Sequence, residues 1–127
     1  MELTFLRLGG LFMLLAVLLG AFGAHALGDH LTQADLAIYQ TANHYHFYHA
    51  LGLLILGTLW RDSVSPSLWR WAGWLMVVGT VIFSGSLYLL VLTGVGVWGA
   101  VTPVGGTALL GAWLLFILAF FRLKAPL

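Results

Sequence analysis

The sequence predicts an all-α integral membrane protein with four transmembrane helices in an up-down bundle and both termini cytoplasmic. Three observations carry that expectation. Of 127 residues, 61% are hydrophobic and only 7% charged. A soluble domain carries roughly 25% charge, so this chain has too few charges to cover a water-facing surface. Four stretches with few or no charges each reach the roughly 20 residues that a hydrocarbon layer about 30 Å thick requires. The five basic residues, Arg7, Arg61, Arg70, Arg122 and Lys124, all fall on one side if the chain crosses four times. The positive-inside rule makes that side cytoplasmic.

The spans are expected at residues 8–28, 36–60, 68–92 and 103–121, which fill a single domain over 1–127. Span one follows Arg7. Span two is expected to begin near Thr32, because Thr32-x-x-Asp35 has the form of a capping box. Ser65-Pro66 suits the start of span three and Thr102-Pro103 the start of span four, since proline at the first helical position forfeits no intrahelical hydrogen bond. Trp60, Trp69 and Trp71 then lie at the inner interface, where indole rings anchor helices. The acidic segment with Asp29 and Asp35 faces outward, as does the charge-free loop TGVGVWGAVTP.

Residues 20–27, GAFGAHAL, allow a second reading, because Ala24-His25-Ala26 has the small-x-small form of a signal-peptide cleavage site. MELTFLR is a weak basic region, as Glu2 offsets Arg7, and the apolar run is longer than a signal peptide uses. Ala16, Gly20 and Ala24 recur every fourth residue and form a face for close helix approach. A retained span is therefore expected. Gly105 and Gly106, after Pro103, read as a second close-packing point.

All five histidines, His25, His30, His44, His46 and His49, fall in the outer half of this arrangement. His25 lies about 27 Å above Arg7, and His49 about 18 Å above the level of Arg61. On the second helix Ala42, His46, His49 and Leu53 form one stripe, and Thr41, His44, Tyr48 and Leu51 form its neighbour. Ser84, Ser86 and Tyr88 of span three reach the same depth. A candidate polar pocket is thus expected from His25, His46, His49, Tyr45, Ser84, Ser86 and Tyr88. His30 and His44 are expected to be solvated or interfacial.

The motifs GAFGAHAL, YHFYHAL, FSGSLYLLVLTG and TPVGG occur in that order across all four expected spans. Together they resemble the YgdD-like family of small bacterial inner-membrane proteins, a family of unknown function with eukaryotic relatives. The resemblance implies four membrane helices and a bacterial inner-membrane location. It carries over no catalytic residue. The family's recurring positions correspond to His25, His46, His49, Ser84, Ser86, Tyr88 and Pro103.

Four functional readings follow from the residues. The first is interhelical hydrogen bonding in an accessory or packing component of the bilayer, as a homo-oligomer or within a larger membrane complex. The second is a metal or haem site on His25, His46 and His49, since neutral imidazole ligates zinc, copper and iron. The third is a small proton-coupled transporter or channel built as an oligomer, although no acid or base occupies the lower half of any span. The fourth, enzymology on a lipid or quinone, finds no nucleophile triad, HExxH or paired carboxylates. The net charge of +1 excludes an electrostatic footprint for nucleic acid, and with no cysteine there is no thiolate chemistry.

Overall fold

The computed structural model describes residues 2–121, so Arg122 and Lys124 of the charge pattern lie outside the described residues. Four long helices account for nearly all of it: α1 (Glu2–Phe22), α2 (Gln33–Thr58), α3 (Pro66–Thr93) and α4 (Val97–Phe120). A π-helical turn, Gly23–Leu27, prolongs α1, and a single 3-10 turn, Trp60–Asp62, follows α2.

The starts of α2 and α3 follow local chemistry that is visible in sequence. Thr32 Oγ1 accepts from the Asp35 amide at 3.1 Å, and Ser65 Oγ accepts from the Leu68 amide at 3.4 Å with Pro66 opening the helix. Each hydroxyl satisfies one of the amides that a helix start leaves without a partner. At the other end of α3, Gly94 takes φ +69°, the left-handed conformation that glycine adopts without a Cβ penalty.

Consecutive helices pack antiparallel. On α1 and α2, Leu6 meets Gly57, Gly9 meets Leu54, Gly20 meets Asn43 and Gly23 meets Tyr39. On α3 and α4, Leu75 meets Gly111, Gly79 meets Leu109, Phe83 meets Gly105 and Leu90 meets Gly99. In this register Arg7, Arg61 and Arg70 share one end of the molecule, while the turn after α1 and the Gly94–Gly96 link share the other. At the basic end Phe5, Leu53, Leu56, Trp69 and Met76 build the larger core, and Trp69 Nε1 donates to the Leu56 carbonyl at 2.8 Å. A smaller core around Tyr39, Ala42, Tyr88 and Val91 lies toward the opposite end.

Among the described residues three stretches are long and apolar enough to cross a membrane: Leu3–Leu27, Pro66–Thr93 and Val97–Phe120. Large apolar side chains are exposed on all of them, among them Leu14, Leu18, Val78, Val81, Leu110 and Leu114. α2 is 26 residues long but is not one of the three, because TANHYHFYH places amide, imidazole and phenol groups along it.

The fourth helix corrects the sequence reading. It begins at Val97, six residues before the expected start, so Pro103 stands inside it and the loop shrinks to Gly94–Gly96. Proline removes one main-chain donor, and flanking hydroxyls bond to carbonyls of the same helix: Thr102 Oγ1 to Trp98 and Thr107 Oγ1 to Pro103. The first helix also begins earlier than expected, which puts Arg7 within α1 rather than ahead of it. Of the expected small-residue face, Ala16 and Gly20 do meet α2, but Ala24 is exposed and Gly23 takes its place beneath the Tyr39 ring. Gly105 is buried against the Phe83 main chain, whereas Gly106 touches only the Phe83 ring, at 3.7 Å from an added Cβ.

Candidate functional site

The polar groups of α2 sort by the helix wheel. Ala42, His46, His49 and Leu53 are all buried, and Thr41, His44, Tyr48 and Leu51 are all exposed. The buried groups then divide between two sets of neighbours.

Toward α1 and α3, Asn43 Nδ2 donates to the Ala16 carbonyl at 2.9 Å and to the Tyr88 hydroxyl oxygen at 3.1 Å. Tyr39 donates its hydroxyl to the Leu19 carbonyl. Tyr88 Oη lies 3.1 Å from His46 Nδ1. Because the Tyr88 oxygen already accepts from Asn43, its own hydrogen completes the set by bonding to Nδ1. His46 then holds its own ring hydrogen on Nε2, beside Phe12. Toward α4, Trp113 Nε1 donates to His49 Nε2 at 3.0 Å. Indole nitrogen is a donor only, so His49 carries its hydrogen on Nδ1 and gives it to the Tyr45 carbonyl at 2.7 Å. The two histidines are held in opposite tautomers by different helices.

The remaining expected residues do not join one pocket. Tyr45 is 40% exposed, with its ring 4.6 Å from that of Phe83. It edges a hollow of about 490 Å³ between α2 and α4 that His49, Pro103 and Trp113 also line. Ser86 donates to the Phe83 carbonyl and lies 2.6 Å from the Thr102 hydroxyl of α4. Ser84 lies two residues away, about 200° around the helix, and lines a different cavity between α1 and α3 with His46 and Tyr88. His25 is exposed on the π-helical turn. It stands two residues beyond Gly23, which faces α2, and so points to the opposite side.

That placement bears on a metal or haem iron. Each buried imidazole offers one lone pair, and each pair already accepts a protein hydrogen, from Tyr88 in one case and Trp113 in the other. His25 is not beside them. Among the described residues no three of His, Asp and Glu are placed to hold a metal ion. The donor set His25, His46 and His49 does not fit such a centre.

Sequence reasoning passed over Asn43, the residue that ties all three helices together, and with it Tyr39, Thr102 and Trp113. A signal for Asn43 was present, since an amide at intramembrane depth is as costly as a histidine unless paired. Trp113 gave none, because tryptophan in an apolar helix reads equally well as a lipid-facing residue.

A family model matches residues 19–106, and its description is "Protein of unknown function (DUF423)". The chain belongs to the DUF423 family. Curated relatives include a UPF0382 membrane protein of Staphylococcus haemolyticus, 42% identical over 118 residues, covering 93% of this chain and 95% of the relative. Another from Staphylococcus epidermidis is 44% identical, covering 94% of this chain and 96% of its own. The UPF0382 membrane protein YwdK of Bacillus subtilis is 44% identical, with 91% and 94% covered. No solved structure matches. The protein is therefore a helical membrane protein of the DUF423 family. The DUF423 segment contains His25, Asn43, His46, His49, Ser84, Ser86, Tyr88 and Gly105, so most of the polar contacts fall within it.

Proposed function

We propose that this DUF423 protein crosses the inner membrane four times with both termini cytoplasmic, and serves as a non-catalytic component of a membrane assembly. The assembly is a homo-oligomer or a larger complex that covers the exposed side of α2. The carrying observation is that His44 and Tyr48 are exposed on α2, with Tyr48 57% exposed. Measured from Trp60 at the inner boundary, they stand about 24 and 18 Å up, inside a hydrocarbon layer about 30 Å thick. Polar groups at that depth face a partner, a cavity or another helix rather than lipid. Asn43, His46 and His49, the inward polar groups of α2, are by contrast spent on neighbouring helices of the same chain. Four crossings are supported by the antiparallel register and by the shared end of Arg7, Arg61 and Arg70.

The test is photocrosslinking from Tyr48 replaced by p-benzoylphenylalanine, in membranes, followed by purification in mild detergent. A crosslinked adduct of defined mass, absent when the probe replaces Leu14, exposed on α1 away from α2, is the expected result. A lone monomer from both positions, with no partner retained in any mild detergent, contradicts the proposal.

A further inference from the structure

The structure assigns a second, separate feature to the opposite side of α2: we propose that the groove between α1 and α3 binds the head of an uncharged, quinone-type lipid whose carbonyl accepts from Ser84. Helices α1 and α3 both lie against α2 but touch each other little. They meet at the basic end, where Phe5 packs on Trp69 at 5.0 Å between ring centroids. Further out they part, leaving a cavity of about 200 Å³ walled by Phe12, Leu15 and Leu19 on one side and Ser84 and Gly85 on the other, with His46 behind.

Ser84 is the observation that points to a ligand. It is 2% exposed, and its Oγ is the one buried side-chain oxygen or nitrogen among the described residues with no hydrogen-bond partner. Neighbouring hydroxyls on α3 show the usual alternative. Thr80 donates to the Met76 carbonyl at 2.7 Å, and Ser86 to the Phe83 carbonyl at 3.0 Å. Ser84 makes no such bond and lines the cavity instead. Beside it, a Cβ built on Gly85 meets nothing within 4 Å, so the groove is open at that level. An unpaired hydroxyl in hydrocarbon is unfavourable, and a bound acceptor removes that cost.

The chemistry of the groove selects the class of molecule. No Lys, Arg, Asp or Glu lines it, so nothing there balances a phosphate, a carboxylate or an ammonium. Tyr88 is bonded to His46 Nδ1, Thr80 donates to the Met76 carbonyl and the other His46 nitrogen faces the Phe12 main chain, which leaves the Ser84 hydroxyl for the ligand. Ser84 lies nine residues before Thr93, about 14 Å below the outer end of α3. That is deeper than the glycerol esters of a bilayer lipid reach. A ring-borne carbonyl on a wholly apolar molecule reaches it, with the isoprenoid tail leaving sideways between α1 and α3.

The test uses the full chain in nanodiscs with a radiolabelled decyl-benzoquinone, and dioleoylglycerol as competitor. Saturable binding near one per chain is expected. Ser84→Ala weakens it by about three- to tenfold, the range of one neutral hydrogen bond. Gly85→Leu fills the groove and abolishes binding while retaining the wild-type helical signal and melting transition. Gly10→Leu, at a position equally free of neighbours on α1, binds as wild type. Non-saturable uptake, or unchanged binding by Gly85→Leu, overturns the proposal. So does saturable binding of dioleoylglycerol without the quinone, which assigns the groove to a glycerolipid. The readout does not depend on whether α2 has a partner.

Discussion

Gly105→Ala is expected to destabilise the protein by about 2 kcal/mol or more, whereas Gly106→Ala one residue away is expected to be neutral or stabilising. At Gly105 a Cβ would fall on the Phe83 main-chain nitrogen and Cα, atoms that no rotamer change can move. Overpacking of this kind costs roughly 1–3 kcal/mol, and here the only relief is separation of α3 from α4. At Gly106 the nearest atoms are on the Phe83 ring at 3.7 Å, an ordinary contact. Replacing a helical glycine there gains up to about 1 kcal/mol of propensity. Unfolding in mixed micelles, followed by circular dichroism, measures both variants. Equal behaviour of the two would show that the helices do not meet at Phe83.

Asn43→Leu is expected to lose about 1–3 kcal/mol, from two interhelical hydrogen bonds worth about 0.6–1.7 kcal/mol each. The substitution keeps the size of the side chain but leaves the Ala16 carbonyl and the Tyr88 oxygen without the Asn43 amide. Tyr88→Phe alone removes the same link and frees His46 Nδ1. The two changes combined therefore cost less than their sum, by at least about 0.5 kcal/mol. Strict additivity in the same unfolding assay would mean that Asn43 and Tyr88 act independently.

How far the sequence reaches depends on how local each cause is. The starts of α2 and α3 are written in local signals, the Thr32-x-x-Asp35 spacing and the Ser65-Pro66 pair: Thr32 accepts from the Asp35 amide, and α3 opens on Pro66. Pro103 locally favours a helix start over a helix interior, where its missing N–H forfeits a hydrogen bond, and the structure overrides that preference. What decides is that Val97–Thr102 finds a helical place against α3, with Gly99 near Leu90 and Thr102 on Ser86. No local motif records that. The buried stripe on α2 was legible because it depends only on helical spacing. The partners were not. His46 and His49 differ by about 60° around α2, enough to send one to Tyr88 and the other to Trp113 on a helix 64 residues away. Asn43 was hidden by its place between two stripes defined by histidines, and Ser84 and Ser86 were grouped by depth although they face opposite ways.

The membrane path of α2 is the central claim, because α2 is the least apolar of the four helices and holds the other polar groups in place. The chain has no cysteine, so single cysteines at Asp29, Ser63 and Val95 are direct reporters when labelled with a membrane-impermeant maleimide in intact cells. Four crossings predict labelling at Asp29 and Val95, and protection at Ser63 until the membrane is permeabilised. Labelling of Asp29 and Ser63 from the same side would place α2 outside the bilayer and contradict the arrangement.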